Sequence, residues 1–340
     1  MPALAVADAL RAEGAQVAFI GGARAEAELV PAAGYELHEI AVEGLSRSHP
    51  ARAARALALA AAALPRARSL LRSLGAQAVL GAGGYVAGPV GLAAITLRLP
   101  LVLSEADSHL GLSNRLLAPH ARRVCLAFPL AGREGPRYRV TGRPIGALGA
   151  PRAQARARFG VGEGARCVLV FGGSLGARSI NLTALAALTP LAGPDLRVLH
   201  VCGRRDYAEL IARELPPQYE LIEYLELPDF ANALSAADLV LARAGGSVFE
   251  LAAHGTPAIL VPYPHAAADH QSANARWMAQ AGAAVVIGDA QLEPERLRRE
   301  LAALLGDPER LAAMAAAARS IARPEAAREI AGELLAAAAR

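Results

Sequence analysis

Asp238-Leu-Val-Leu-Ala-Arg-Ala-Gly-Gly-Ser-Val-Phe-Glu-Leu-Ala-Ala-His-Gly-Thr-Pro-Ala-Ile-Leu-Val-Pro-Tyr-Pro-His-Ala-Ala-Ala-Asp-His-Gln-Ser-Ala-Asn-Ala275 reads as an apolar strand, a glycine turn, a helix start, a second strand and a polar loop. Strand, turn and helix in this order are the repeating unit of a parallel sheet covered by helices. Ligands of such sheets bind beyond the carboxyl ends of the strands. Ser247, Glu250, Asp269, Gln271 and Asn274 fall in that position. Together with two backbone-rich turns they are expected to face one cleft, and the inventory suits a nucleotide-sugar.

The same rhythm extends outward. Apolar runs at 15–20, 77–81, 100–103, 123–127, 166–171, 197–202, 219–223, 238–242, 258–261 and 284–287 predict strands, with alanine-rich helical patterns between them. A Pro-, Gly- and Arg-rich stretch at 129–165 breaks the alternation and sets a domain boundary near residue 145. The expected domains are 1–145 and 146–324, with a last helix at about 325–340 packing back on the first. Both halves carry the same α/β theme, and 340 residues suffice for two cores. The opening stretch from Met1 to Leu10 already reads as a helix with proline in its first turn. Domains of this kind normally start with a strand and a glycine loop, so the first strand and loop are expected to be missing.

All 35 basic residues are arginine, a bias that looks genomic, and the net charge is only +4. No arginine stripe alternates with aromatics, which make up 4% of the chain, so nucleic acid is not an expected partner. Three scattered cysteines, Cys125, Cys167 and Cys202, predict reduced buried thiols in a cytoplasmic setting. No charge-free apolar window of about 18 residues predicts a transmembrane helix, and no signal peptide is visible.

Val168-Leu-Val-Phe-Gly-Gly-Ser-Leu-Gly-Ala-Arg-Ser-Ile-Asn181 is a second strand–glycine–helix junction. Its backbone N–H groups could meet a diphosphate, or Ser174 could simply cap the helix. Gly245-Gly246-Ser247 repeats the device. Glu250, three residues after Ser247, is either the acid of a capping box or a carboxylate accepting from ribose hydroxyls. Gly81, Gly83, Gly84, Gly88 and Gly91 crowd around Tyr85 at another strand end, suggesting close backbone approach to a ligand. His265 and His270 have poor metal-ligand spacing, and no Asp-x-Asp occurs. No metal or other cofactor is therefore expected. Arg47, Arg52, Arg55, Arg66, Arg68 and Arg72 either solvate a helix face or lie against an anionic membrane surface.

Gly81–Ala94, Val140-Thr-Gly-Arg-Pro144, Phe171–Asn181 and the opening stretch, in this order and spacing, are highly specific. Through them the chain resembles, over nearly its whole length, the MurG family of bacterial UDP-N-acetylglucosamine:lipid I N-acetylglucosaminyltransferases. The resemblance implies a glycosyltransferase B fold of two Rossmann-like domains facing a cleft. It implies inverting transfer of N-acetylglucosamine from UDP-N-acetylglucosamine to undecaprenyl-diphosphate-linked lipid I, at the cytoplasmic face of the membrane, and possible links to other cell-wall synthesis or division proteins. By the same resemblance Ser174 lies near the donor diphosphate, Leu225 by the uracil, Gly246, Ser247, Val248 and Phe249 along the nucleotide, Glu250 on the ribose and Gln271 on the sugar. Gly83, Gly84, Tyr85 and Glu105 fall on the acceptor side. With UDP-N-acetylglucosamine and lipid I as substrates, the arginine-rich segment reads as membrane-facing.

The chain also departs from the family pattern. The histidine taken as general base precedes the proline matching Pro2, so the resemblance assigns no base here. The family's His-Glu-Gln-Asn is Ser104-Glu105-Ala106-Asp107, which puts Asp107 where an asparagine contacts substrate. An expected arginine is Gly146, for which Arg143 is the substitute in the donor pocket. The 245–247 turn is one residue shorter than the common form. Two other classes compete: a non-catalytic UDP-sugar-binding scaffold, and another glycolipid glycosyltransferase of the same fold.

Overall fold

The structure, a computed structural model, describes residues 2–23, 25–44 and 49–339. Arg47 lies outside them. The chain divides into two compact units, 1–146 with 324–340, and 147–323.

Unit 1 opens with the helix Pro2–Ala12 and carries six strands among its described residues. These are β1 (Ala18–Gly21), β2 (Glu36–Glu39), β3 (Val79–Gly81), β4 (Leu101–Glu105), β5 (Arg123–Leu126) and β6 (Tyr138–Val140). β1 and β2 form one parallel pair, and β3-β4-β5-β6 form a parallel sheet in that order. Alternation along the strands decides which side each residue serves. Leu101, Leu103, Val124 and Leu126 pack with Ala67, Leu70 and Leu71 of the helix Pro50–Ser73 and with Val90 and Ala94 of the helix Ala87–Thr96. Val102 and Cys125 point the other way, onto Val6 and Leu10 of the first helix and Ile330 and Ala331 of the last, Ala326–Ala338. Ion pairs fasten that last helix. Glu333 meets Arg123 at 2.7 Å and Arg139 at 2.8 Å, and Glu329 meets Arg139 at 3.0 Å. Burial pushes the Glu333 carboxyl up, but hydrogen bonds from the two arginines outweigh it and hold it below the usual range.

Unit 2 holds β7 (Arg166–Phe171), β8 (Leu196–Val201), β9 (Tyr219–Ile222), β10 (Leu239–Ala242), β11 (Ala258–Leu260) and β12 (Ala284–Val286). All are parallel, in the order β12-β11-β10-β7-β8-β9. Val168, Val170, Leu239, Leu241 and Ile259 pack onto Ile180, Ala184 and Leu188 of the helix Arg178–Leu188 and Leu297, Leu301 and Leu304 of the helix Pro294–Leu305. On the opposite face Phe171 meets Phe230, of the helix Leu227–Ala236, edge-on at 5.0 Å. Local chemistry sets the helix ends. The helix Pro308–Ile321 starts where Asp307 accepts from the Arg310 N–H at 2.9 Å, and the helix Val248–His254 stops at Gly255 with a φ of 66°.

β2 and β6 were not anticipated from the sequence. Both are short and lie at sheet edges, and Glu-Leu-His-Glu and Tyr-Arg-Val lack the apolar run of a buried strand. The three cysteines are buried and unpaired. Burial pushes the Cys125 and Cys167 thiols up to about 12.

Candidate active site

In unit 2 the strand order reverses between β7 and β10: the chain proceeds from β7 to β8 and β9 on one side, and from β10 to β11 and β12 on the other. A crevice at such a switch point is the standing ligand position of an open parallel sheet. The loop Gly172–Gly176 follows β7, and the turn Gly245–Ser247 follows β10, so the two glycine loops bracket the switch point. The first loop is held by close backbone packing. Gly176 has a φ of 78° and Gly203 a φ of 85°, and a Cβ on either would overlap the other loop. Ser174 is exposed and three residues short of the helix N-cap, which is Ala177. The capping alternative for Ser174 is thereby excluded. Ala177 provides no side-chain cap, so the first N–H groups of an eleven-residue helix are left for another acceptor.

Ser247 does occupy an N-cap, but its side chain makes no capping hydrogen bond. Glu250 lies in the first turn, half-buried. Val248 and Phe249 turn inward, with Phe249 against Trp277 at 5.1 Å, so only their backbone can border a ligand. Asn274 likewise does not face outward. It is 4% exposed and its Nδ2 donates to the Ala244 and Gly245 carbonyls at 2.9 and 3.3 Å, pinning the glycine turn. Gln271 Oε1 accepts from the Tyr263 N–H at 2.9 Å, which fixes the loop after β11. Just ahead of it Ala268 and Asp269 adopt φ of 52° and 53°. Left-handed backbone is costly for a non-glycine residue and collects at functional sites. Leu225, after β9, is half-buried.

Arg243 was not singled out from the sequence, yet it organises this edge. Its guanidinium is bonded to Asp289 Oδ1 at 2.6 Å, to Ser179 Oγ at 2.8 Å and to the Val261 carbonyl at 3.1 Å, and lies 5.4 Å over the Tyr263 ring. One buried cation thus ties together the carboxyl ends of β10 and β11, the helix after Ser174 and the loop after β12. The readable signal is a charge directly after the apolar run 239–242. A second buried chain braces the Gly172–Gly176 loop. His200 Nδ1 accepts from Tyr219 Oη at 2.8 Å, and its Nε2–H donates to Asn181 Oδ1 at 3.1 Å. Asn181 Nδ2 donates to the Cys202 carbonyl and to Asp206 Oδ2, both at 2.8 Å. This assignment satisfies every group with a neutral imidazole, and burial pushes the His200 pKa down to about 3.

Unit 1 also gathers its candidates at carboxyl ends. Gly83, Gly84 and Tyr85 follow β3, Glu105 ends β4 with Asp107 just after it, and Arg143 follows β6. Gly83 and Gly84 have φ of 85° and 74°, and Ser113 Oγ donates to the Gly84 carbonyl at 3.0 Å. Tyr85 is 55% exposed. Glu105, by contrast, is buried. Its carboxylate accepts from the Asp107 N–H at 3.2 Å, the Gly111 N–H at 2.8 Å and Asn114 Nδ2 at 3.0 Å. It shapes the loop that displays Asp107. Arg143 Nη1 donates to the Ala106 carbonyl at 3.3 Å, on the same loop.

The glycosyltransferase family 28 N-terminal domain matches residues 1–126, and the family's C-terminal domain matches residues 167–330. The UDP-N-acetylglucosamine--N-acetylmuramyl-(pentapeptide) pyrophosphoryl-undecaprenol N-acetylglucosamine transferase of Moorella thermoacetica is 42% identical over 339 residues, covering 95% of this chain and 91% of that protein. The protein of the same name from Rubrobacter xylanophilus is 41% identical over 342 residues, 98% of each. The crystal structure of Acinetobacter baumannii MurG matches with a TM-score of 0.79 at 31% identity, covering 98% of this chain and 95% of that one. The calicheamicin glycosyltransferase CalG4, at 19% identity and a TM-score of 0.68, shares the fold. With two parallel-sheet units of the glycosyltransferase B type, the chain is a glycosyltransferase and belongs to family 28, with the MurG N-acetylglucosamine transferases.

Proposed function

We propose that this enzyme moves N-acetylglucosamine from UDP-N-acetylglucosamine to the 4-hydroxyl of N-acetylmuramic acid in undecaprenyl-diphosphate-linked lipid I, giving lipid II for peptidoglycan. The observation that carries this reading is the pair of glycine loops bracketing the unit 2 switch point, in a chain about two-fifths identical to proteins named for that transfer. The acceptor oxygen attacks the anomeric carbon and loses its proton, the bond to the diphosphate breaks, and UDP leaves with inversion to a β-linkage. Negative charge grows on the departing diphosphate. Ser174 and the unbonded N–H groups of the helix Arg178–Leu188 are the groups that meet it, with a helix end worth roughly half a positive charge. Glu250 accepts from the ribose hydroxyls, Gln271 holds the sugar hydroxyls, and Leu225 lies by the uracil. The backbone of Gly246–Phe249 follows the nucleotide. In unit 1, Gly83, Gly84 and Tyr85 border the acceptor diphosphate.

A lipid acceptor calls for a membrane-facing surface. No described helix is long and apolar enough to cross a membrane. Leu92, Leu112 and Leu116 are exposed on two helices that pack together, Ala87–Thr96 and Leu112–Leu117, with Arg115 beside them. Arg52, Arg55, Arg66 and Arg72 are exposed on the helix Pro50–Ser73. These features support peripheral attachment at the cytoplasmic face. Each arginine near an anionic surface adds about 1 kcal/mol, so flotation with phosphatidylglycerol vesicles is expected to weaken with salt. Equal binding to neutral vesicles would rule this surface out. The activity is tested by transfer of labelled N-acetylglucosamine to a lipid I analogue. Binding of UDP with no transfer would leave a UDP-sugar-binding protein and overturn the reading.

A further inference from the structure

A cavity of about 550 Å³ lies at the opposite end of the unit 2 strands, beside the amino ends of β7, β10 and β11. Leu234, Leu311 and Ala315 give it apolar wall, and Arg152, Arg166 and Arg319 line it with guanidinium groups. Asp238 is the one carboxylate of the lining, so three positive groups face one negative group. That carboxylate is already engaged. Arg152 meets it at 2.8 Å, Arg156 behind it at 3.1 Å, and the Cys167 N–H donates to it at 2.8 Å. Arg166 is left at 3.5 Å, and the Arg319 guanidinium has no hydrogen bond or ion pair among the described residues. Asp307, next to the lining residue Pro308, spends its carboxylate on the Arg310 N–H.

His254 adds no charge to the wall. Burial holds its imidazole below the usual range, with Nδ1–H donating to the Glu250 carbonyl at 2.8 Å and Nε2 accepting from the Gly149 N–H at 3.3 Å. The site is therefore a mixed one, apolar on one side and carrying a surplus of positive charge on the other. Its volume lies within the usual span of small-molecule sites. Guanidinium groups with free N–H pairs are suited to the oxygens of a phosphate or carboxylate.

We propose that this cavity binds an amphiphilic phosphate monoester, its head on Arg166 and Arg319 and its apolar chain along Leu234, Leu311 and Ala315. The site is separate from the glycine loops, which lie at the opposite ends of the same strands. The test is calorimetric titration of the full chain, saturated with UDP, with decyl phosphate below its micelle-forming concentration. One saturable site is expected, with inorganic phosphate and decanol each at least 10-fold weaker. The Arg166→Ala/Arg319→Ala double variant should lose at least 10-fold affinity while keeping its UDP binding and melting temperature. Ala315→Trp, which fills the apolar side and leaves the arginines in place, should also lose it. Phosphatidic acid vesicles distinguish the source: binding that falls in the double variant assigns a lipid headgroup, and unchanged vesicle binding assigns a soluble ester. Unchanged decyl phosphate affinity in both variants, or equal affinity for decanol, would overturn the proposal.

Discussion

Arg243 and Glu250 sit seven residues apart and are expected to fail in different ways. Arg243→Ala leaves Asp289 without its 2.6 Å partner and frees the ends of two strands. Breaking a buried pair by removing one member costs about 3–5 kcal/mol, so chemical denaturation should show a large loss of stability together with weak UDP binding. Glu250→Gln keeps the fold but removes a charged acceptor. With hydrogen bonds to charged groups worth about 1.5–3 kcal/mol, KM for UDP-N-acetylglucosamine should rise about 10- to 100-fold with an unchanged melting temperature. An unchanged KM would remove Glu250 from the ribose. These two residues also mark how far the site could be read in advance. Ser174, Ser247, Glu250 and Gln271 stand out as candidates because strand, glycine and helix follow one another in the chain. Arg243, Asn274 and Glu105 took their meaning from partners 18 to 64 residues away or from a loop's folded path, which no local pattern carries.

Among the elements, the Gly172–Gly176 loop depends on what lies beneath it. Burial pushes the His200 pKa down to about 3 in the fold, whereas in an unfolded chain it would protonate near its ordinary value of 6.5. Between those values the unfolded state binds the extra proton, so stability is fully present above pH 6.5 and falls with acidification toward pH 3. The slope from this one group reaches about 1.4 kcal/mol per pH unit. Urea denaturation from pH 7 to pH 4 should show this loss, and His200→Gln should flatten it. An identical pH dependence in the variant would show that the imidazole is not the titrating group. The strands themselves illustrate what is legible at this scale. β10 and β7 after Arg166 are buried on both faces and read as continuous apolar runs. β2 and β6, at edges, have no need of such runs and so gave no signal.

At the scale of the whole molecule, the parallel α/β architecture was legible because it repeats, about ten times over, a pattern that physics confines to one class of fold. The helix Ala326–Ala338 has a consequence of a different kind. It buries Val102 and Cys125 of unit 1 from the far end of the sequence. Removing residues 324–340 should therefore destabilise unit 1 while leaving unit 2 intact, seen as a lost first transition in calorimetry; a single unchanged melting profile would contradict it. During synthesis the order matters. Domains ordinarily fold as they emerge, the earliest first, but here unit 1 waits for a helix made after the whole of unit 2. A ribosome that had released the chain only through residue 323 would hold a finished unit 2 and an unfinished unit 1, its apolar sheet face open to chaperones and proteases. Quality control would then act on the making of that distant helix as well as on correct folding.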